Sequence, residues 1–538
     1  MCAFAFSKES FVNVMGSSLL LVVFFFGTLF IPLVIAAIVT LDILYDNKKI
    51  KIQIINSPFV YLLPVAFLLH TGGTNDHWVT VAISILTVCA VAMYPPVKNF
   101  LTKRNIRVWN LADRRDSTNI YNIAEKCAYY VYLVAVLFLS FGHDSVILFV
   151  APLILLALLA VKNVRDRKIP KDLDKKAFNS VRTHAPKFAI FCGFNEPSYY
   201  VYTVWDKYFK MVGEKFIIIT QDENVAEELS KLTEVPIVFC RETQDKLGII
   251  NKSDIKAVFY PINTASNITT TQALEPLHIF IGHGDSDKAP SYRRVTAMYD
   301  YQFVAGQEAI ERYENHGIHI LKDKFIITGR PQVEDVQVGA GNTGTVLYAP
   351  TWQGHTNDVD YTSLYKGREI IKSLLDKNLR VVFRPHPQAY TSKTLRAVID
   401  DIHSMLEADT VAGGPQHLYG GIAENDMTIF DCFNVADAMI SDVSSVVSDF
   451  LYSEKPILLV TMCQNTAEFI KEYPIARAAY VFEKSLHGLD STLSELLAGN
   501  DTMKADRINL KERYLSRPQK GKKYSDLFID AVKEVIKG

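Results

Sequence analysis

Residues 438–460 read as a strand, a turn, a helix and a second strand, and this unit most constrains how the chain can fold. A buried strand ends near Ser441, a serine-rich turn follows, and Val446, Phe450 and Leu451 give the next segment the apolar face of a helix. The run KPILLV then begins another strand. Such a helix begins at the carboxyl edge of a parallel sheet, where its free N–H groups can hold a phosphate. Serines also cap helices at such turns, so this unit alone does not establish a phosphate site.

The first 165 of the 538 residues contain nearly all the long apolar runs, which predicts an all-α, polytopic transmembrane region over 1–165. Five runs are candidate spans: 16–44, 57–69, 78–94, 127–141 and 145–161. The segments after the first, third and fifth runs contain Lys and Arg, whereas the other two loops contain neither. By the positive-inside rule we expect a multi-pass protein of the cell membrane, with the N-terminus outside and the large C-terminal part in the cytoplasm. The alternative is a soluble domain with buried core helices.

The charge and the cysteine content of the chain exclude several kinds of partner and site. The formal net charge of −1 indicates no global attraction to nucleic acid, and we expect no nucleic-acid partner. The seven cysteines are scattered, without a CxxC pair, which excludes a disulfide framework or a zinc site of the usual spacing and favours a reducing compartment.

After residue 165 short β-rich runs alternate with helical patterns, which is typical of doubly wound α/β sheets. Predicted strands are 188–192, 216–220, 237–240, 257–260, 279–281, 302–304, 325–328, 346–349, 381–384, 436–440 and 457–461. Predicted helices are 198–211, 224–232, 307–315, 365–375, 395–406, 445–451, 493–497 and 525–537. A charged linker is expected at 162–176, and the Gly-rich segment 336–345 marks a domain boundary. We therefore expect the GT-B architecture, with Rossmann-like domains at 166–335 and 336–538 and C-terminal helices that pack back across both.

The segment IGHGDSDK directly follows a predicted strand. Flanking glycines let the backbone approach a ligand closely and expose His283 at the sheet edge, where a histidine can accept a proton near neutral pH. Lys288 can meet a phosphate there. The alternative interpretation is a histidine that merely caps a turn.

Further polar residues follow other predicted strands. Arg384 and His386, in RPHP, lie close together on a stiff loop, and both side chains can donate hydrogen bonds to a phosphate. The alternative is that the prolines merely end the strand and shape the loop. Thr351 can donate to a ligand, while the neighbouring tryptophan is expected to pack in the core. Arg330 is a further candidate, which would face the cleft between the two domains. Asp442 and Asp449 could accept hydrogen bonds from a ribose, a polyol or a lysine. A structural role is the alternative for Asp449.

Taken together, these segments resemble the CDP-glycerol glycerophosphotransferase family, the membrane-associated teichoic acid primases and polymerases. The resemblance is carried by IGHGDSDK, YDYQFVAG, GRP, LYAPTW, FRPHP and SDVSSVVSDFLYSEKP, at 281–288, 299–306, 329–331, 347–352, 383–387 and 441–456. It spans about 180 residues and leaves out the apolar N-terminal region.

The resemblance implies a GT-B transferase that moves a polyol phosphate from a CDP-activated donor to a hydroxyl of a lipid-linked chain. By analogy, His283 is the base or an acceptor-site histidine, and Arg384 and His386 bind the donor pyrophosphate and help CMP leave. Ser444 and Ser445 hold phosphate at the helix N-terminus. The predicted catalytic residues are thus His283 and His386. Predicted donor or phosphate ligands are Arg384, Ser441, Asp442, Ser444, Ser445, Thr351 and Lys288, with Gly284, Arg330 and Asp449 as further site residues.

Two departures from the family pattern are visible. The family usually has a small, neutral run after His-Gly where this chain has Asp285, Ser286 and Asp287, and it commonly has an aromatic residue where Val443 stands. The first puts the acceptor in doubt, and the second weakens any conclusion about how the cytidine is held. No carboxylate pair marks a metal site, so we expect no tightly bound metal and leave a loosely associated Mg²⁺ open.

The sequence thus predicts a membrane-bound glycerophosphotransferase of teichoic acid-like polymer synthesis. Its expected partners are CDP-glycerol or another CDP-polyol, a lipid-linked polymer acceptor and membrane lipids. Two alternatives stay open: a GT-B glycosyltransferase that uses a nucleotide sugar for a capsule or cell-wall polymer, and a non-catalytic, nucleotide-binding membrane scaffold.

Overall fold

The structure is a computed structural model that describes residues 104–111, 168–194, 199–339, 344–354 and 360–537. The five candidate membrane spans lie outside these residues. Among the residues described, no helix has the length and apolar character needed to cross a membrane. The chain divides into two compact units, residues 1–105 with 112–177 and residues 106–111 with 178–538, and both β-sheets lie in the second unit.

The first sheet has eight strands in the order β1-β4-β3-β2-β5-β6-β7-β8. They are β1 (Ile106–Trp109), β2 (Phe188–Cys192), β3 (Phe216–Thr220), β4 (Ile237–Cys240), β5 (Ala257–Tyr260), β6 (Leu277–Phe280), β7 (Tyr301–Val304) and β8 (Phe325–Ile327). All neighbouring pairs are parallel except β1 with β4. Strands β2 to β5 are buried along their whole length, because helices cover both faces of the sheet.

The second sheet has five parallel strands in the order β10-β9-β11-β12-β13. They are β9 (Thr345–Ala349), β10 (Arg380–Phe383), β11 (Ala438–Ser441), β12 (Ile457–Thr461) and β13 (Tyr480–Glu483). The chain leaves β9 toward β10 on one side and later returns to β11 on the other. The strand order therefore reverses between β9 and β11, which is where open α/β sheets form a ligand crevice.

Fourteen α-helices are described, and most of them connect these strands. They are α1 (Lys168–His184), α2 (Tyr200–Met211), α3 (Glu223–Leu232), α4 (Thr243–Lys252), α5 (Ala265–Thr270), α6 (Gln307–Asn315), α7 (Gly367–Leu375), α8 (Lys393–Val411), α9 (Ile429–Val435), α10 (Ser445–Phe450), α11 (Thr466–Glu472), α12 (Leu489–Leu497), α13 (Lys504–Leu515) and α14 (Tyr524–Lys537). Polar side chains fix several beginnings: Asp222 accepts from the first turn of α3, and Thr428 and Asp431 form a capping box on α9.

These two sheets confirm the α/β class and the two Rossmann-like sheets of the predicted architecture. All eleven predicted strands form, with bounds that move by at most two residues. The last helix, α14, packs against α2 and the first sheet, where the Phe528 ring lies 4.9 Å from the ring of Trp205 in α2 and 6.1 Å from that of Phe303 in β7. The structure therefore brings the C-terminus back onto the first of the two sheets.

Two local predictions are wrong. The basic loop expected between the third and fourth apolar runs contains β1, because Ile106 is buried in the sheet edge while Arg107 ion-pairs with Glu223. The charged linker expected at 162–176 overlaps α1. Its Ala177 and Val181, four residues apart, form a buried stripe, which is enough to pack a helix whose other faces are charged.

Candidate active site

His283 follows β6 after a sharp turn at Gly282, whose φ of +61° suits glycine. Its Nδ1 lies 3.1 Å from the carbonyl oxygen of Pro261. A carbonyl oxygen only accepts, so Nδ1 must carry the proton and Nε2 of the neutral ring presents a lone pair. Burial lowers the pKa of His283 below its usual 6.5, and the positive charge of Arg330 adds to this effect. The ring is therefore a neutral acceptor at pH 7.

His386 follows β10 on the second sheet and has the opposite proton arrangement. Its Nδ1 accepts from the backbone N–H of Gln388 at 3.1 Å, so Nε2 carries the proton of the neutral ring. The ring lies nearly parallel to that of Trp352, with centroids 6.1 Å apart. Burial, then the charge of Lys288, lowers the pKa of His386 to about 4. His386 is therefore a neutral hydrogen-bond donor.

Lys288 joins the loop after β6 to the second sheet. Its Nζ donates to Thr351 Oγ1 at 3.0 Å and lies 5.5 Å from the ring centre of Tyr361. Burial lowers its pKa, while the negative charges of Asp442 and Asp360 oppose that shift. The lysine thus places a cation among residues of both sheets, close enough for its charge to act on His386.

Asp442 and Ser441 make internal contacts at the end of β11. Both carboxylate oxygens of Asp442 accept from the N–H of Thr351, at 3.0 and 3.1 Å, and Oδ2 also accepts from Ser363. Burial raises the pKa of Asp442 to about 6. Ser441 Oγ donates to the carbonyl of Ala349 at 2.6 Å. The two side chains thus hold β9 and β11 together at the crevice, and their predicted contact with the donor stays a prediction.

Arg384 also makes contacts within the protein, since Nη1 donates to the carbonyl oxygens of Ala423 and Met427. Ser444 is the N-cap residue of α10, and in the part of the chain described here its side chain makes no capping hydrogen bond. Ser445 lies against Gly284, where an added Cβ would come 2.9 Å from Ser445 Oγ. The loop after β6 and the start of α10 therefore meet in a contact that leaves no room for a side chain at residue 284.

A cavity of about 490 Å³ lies beside His283. Ser445 reaches it from the second sheet, and the remaining polar lining residues include Asn263, Ser291, Arg293 and Gln302. Arg330 and Asp449 form a buried ion pair at its edge. The structure thus brings His283, Gly284, Arg330 and Ser445 together at this cavity, whereas Thr351 and His386 lie with Lys288.

The acidic run that departs from the family pattern holds the loop in place. Arg312 of α6 ion-pairs with both Asp285 and Asp287. Asp287 Oδ2 also accepts from the Tyr514 hydroxyl at 2.6 Å and from the Ile475 N–H at 3.1 Å. This network attaches the His283 loop to the second sheet's side of the molecule. Arg312 and Tyr514 carry no motif, so the sequence offered no signal for them.

The described residues give no indication of a metal site, and they do not test whether a metal binds. Within the described ranges, no group of three or more His, Cys, Asp or Glu side chains is placed to hold a metal ion. The expectation of no tightly bound metal stays a prediction.

Comparisons with known proteins show which part of the chain resembles a known family. The family described as CDP-Glycerol:Poly(glycerophosphate) glycerophosphotransferase matches residues 249–466, a range that includes every predicted site residue. No curated protein matches the chain. Similar solved structures include the wall teichoic acid polymerase TagF (15% identity, TM-score 0.42, 71% of this chain and 97% of that one). Another is a putative UDP-N-acetylglucosamine 2-epimerase from Listeria monocytogenes (11%, 0.44, 65% and 96%).

A glycosyltransferase from Rickettsia africae is also similar (12% identity, TM-score 0.39, 65% of this chain and 98% of that one). At these identities and TM-scores, the solved structures carry no argument about the site or the substrate. The family match confirms the predicted resemblance and the predicted class of enzyme: residues 249–466 of this chain match the CDP-glycerol:poly(glycerophosphate) glycerophosphotransferase family, which indicates a transferase of this kind.

Proposed function

We propose that this protein transfers glycerol phosphate, or a related polyol phosphate, from a CDP-activated donor to a hydroxyl of a lipid-linked acceptor in the synthesis of a teichoic acid-like polymer. CMP is the other product. The family description supports the reaction type, and the chemistry of the site supports the direction of proton transfer.

The observation that carries the proposal is the opposite proton arrangement of the two histidines. His283 is held by a carbonyl acceptor and offers a lone pair at Nε2, whereas His386 is held by an N–H donor and offers a proton at Nε2. A displacement at phosphorus needs a base on the attacking side and a donor on the leaving side. Two neutral histidines, one with an unprotonated Nε2 and one with a protonated Nε2, meet both needs at pH 7.

In the proposed step, His283 Nε2 takes the proton of the acceptor hydroxyl as its oxygen attacks the phosphorus that carries the polyol. The new P–O bond forms as the bond from that phosphorus to the bridging oxygen breaks, and the electron pair stays with CMP. His386 Nε2–H and the Lys288 ammonium group stabilise the charge that develops on the leaving phosphate. Because His386 stays neutral, it acts as a hydrogen-bond donor and keeps its proton.

The cavity beside His283 is the proposed place for the acceptor end. Its volume of about 490 Å³ accommodates one or two polyol phosphate units, and its polar groups can pair with hydroxyls. Arg293 offers a cation for a phosphate of the acceptor.

The membrane arrangement is a further part of the proposal. The five apolar runs would cross the cell membrane with the N-terminus outside, and the two Rossmann-like sheets would lie in the cytoplasm near the lipid-linked acceptor. The pairing of β1 with β4 supports this arrangement, since the segment between the third and fourth runs then shares a compartment with the first sheet.

The test uses the full chain in membranes, incubated with CDP-glycerol, CDP-ribitol or a set of UDP-sugars and a lipid-linked polyol phosphate acceptor. We expect CMP release from one CDP-polyol. His283→Ala removes the base and should lower kcat by about 10²- to 10⁴-fold, the usual contribution of a general base. His386→Ala should also lower kcat. His319, which is exposed on the first sheet's side, provides the control variant His319→Ala.

Release of UDP would instead assign the protein to the glycosyltransferases. No release with any donor would favour the nucleotide-binding scaffold. Full activity in His283→Ala would show that another group acts as the base, whichever donor is used.

A further inference from the structure

Arg330 follows β8 of the first sheet, and its side chain reaches across to the second sheet's half of the molecule. Its guanidinium group meets the carboxylate of Asp449 with two hydrogen bonds, Nε to Oδ1 at 2.8 Å and Nη2 to Oδ2 at 3.1 Å. Both side chains are almost fully buried, at 6% and 5% exposure. A buried, bidentate pair of this kind has little freedom to move, because either charge alone would be costly in that environment.

The same guanidinium group holds the backbone of His283. Nη2 of Arg330 donates to the carbonyl oxygen of His283 at 3.0 Å. One residue earlier, the carbonyl oxygen of Gly282 accepts from Trp205 Nε1 at 2.7 Å. The Arg330 guanidinium carbon lies 5.9 Å from the Trp205 ring centre, so these two donors also contact each other. The backbone carbonyl groups of Gly282 and His283 are thus both held by side chains that lie outside the loop.

Asp449 connects this arrangement to the other side of the site. It lies in α10, four residues after Ser445, which lines the cavity and touches Gly284. Within one short helix these two residues move together. A displacement of Asp449 relative to Arg330 therefore changes the separation between Ser445 and the His283 loop.

We propose that Arg330 and Asp449 are positioning residues, which set the place of the His283 backbone relative to α10 through their ion pair. This inference rests on the proposed function, in which His283 is the base. Neither residue needs to touch substrate. Arg330 acts through the His283 carbonyl, and Asp449 acts through α10 and through Arg330.

The test removes the pair without leaving a buried charge. In the double variant Arg330→Met/Asp449→Leu, apolar side chains of similar size replace both partners, and we expect the fold to be kept. We expect kcat to fall by about tenfold to 10²-fold, the usual effect of misplacing a catalytic group. The KM for the CDP-polyol should change by less than about threefold, because the pair does not bind the donor. Arg330→Lys should recover little, since lysine lacks the bidentate geometry.

The control is the ion pair of another fully buried arginine, Arg507 with the partly exposed Asp501, which lies outside the lining of the cavity. Arg507→Met/Asp501→Leu should change the melting temperature and leave kcat as in the wild type. Unchanged kcat in Arg330→Met/Asp449→Leu would overturn the inference. A loss that merely follows a smaller folded fraction, measured by thermal unfolding, would overturn it equally.

A second measurement does not depend on turnover. Diethyl pyrocarbonate modifies neutral histidine rings, and mass spectrometry of the full chain gives the rate at His283 itself. We expect this rate to rise at least threefold in Arg330→Met/Asp449→Leu and to stay constant in the Arg507 control. If the wild type releases no nucleotide from any donor, the proposed function fails, and the labelling rate alone then decides the positioning role. An unchanged labelling rate in that case overturns it.

Discussion

The tautomers of two histidine rings depend on their backbone partners. Pro261 lacks an N–H and presents a carbonyl to His283, while the turn after His386 presents the N–H of Gln388. Backbone groups cannot change their donor or acceptor character, so each ring has the same tautomer whenever it is neutral. The division of roles between the histidines is thus built into the loops that hold them.

The pH dependence of activity follows from these rings. The pKa of His283 is lowered from 6.5, chiefly by burial, so the base is neutral at pH 7 and becomes protonated only below pH 6.5. We expect kcat/KM for the CDP-polyol to be constant with pH just above neutrality and to fall as the pH drops through the range below 6.5. A pH profile of kcat/KM, with His319→Ala as control, measures this. An increase in kcat/KM on acidification would contradict the assignment of the base.

At the scale of elements, the strands were the most predictable part. Short apolar runs bounded by turn residues gave eleven of the thirteen described strands. The two missed strands lie at sheet edges: β1 has the partly exposed pattern IRVW, and β13 has YVFE. Each of these two strands has only one buried residue, so its sequence lacks the continuous apolar run of a central strand. Only the partner strand reveals it.

The same limit applies to the site. The positions of His283, Arg330 and His386, each three residues after the end of a strand, could be predicted, because the carboxyl edges of parallel strands are where ligands bind. Their hydrogen-bond partners could not. Nothing in the sequence connects Arg312 of α6 with the acidic loop, or Asp442 with the N–H of Thr351. Such contacts join segments that are 25 and 91 residues apart in the chain, and local patterns do not encode them.

The contact between the His283 loop and α10 can be tested with one methyl group. In Gly284→Ala the new Cβ would lie 2.9 Å from Ser445 Oγ and 3.0 Å from Ser445 Cβ, so the loop and the helix must separate slightly. We expect kcat/KM to fall by about tenfold, with a loss of about 1–3 kcal/mol in the free energy of unfolding from overpacking. Steady-state kinetics and thermal unfolding measure both.

Gly421 supplies a matched control, because an added Cβ there meets nothing within 4 Å. Gly421→Ala should leave the kinetics unchanged. Wild-type activity in Gly284→Ala would show that the closeness of the loop and α10 is irrelevant to the reaction.

For the whole molecule, the strand order limits the ways in which the chain could cross a membrane. Strand β1 lies between the third and fourth apolar runs in the sequence, yet it pairs with β4, which comes after all five. Two paired strands must share a compartment. If the apolar runs cross the membrane, an even number of crossings separates residues 111 and 168, which agrees with the two runs predicted there.

The register of this pairing allows a direct test by disulfide formation. Ile106 stands opposite the native Cys240, whereas Arg107 stands opposite Phe239. Directly opposed side chains in an antiparallel pair have Cβ atoms about 4.5–5.5 Å apart, near the range that a disulfide spans after a small shift. In full-length Ile106→Cys in membranes, we expect a mild oxidant to link the introduced thiol to Cys240, detected as a disulfide-joined peptide by mass spectrometry. Arg107→Cys, whose side chain points to the other face, should give no such link. Equal linkage in both variants, or none in Ile106→Cys, would mean that β1 does not hold this register and would remove the support it gives to the membrane arrangement.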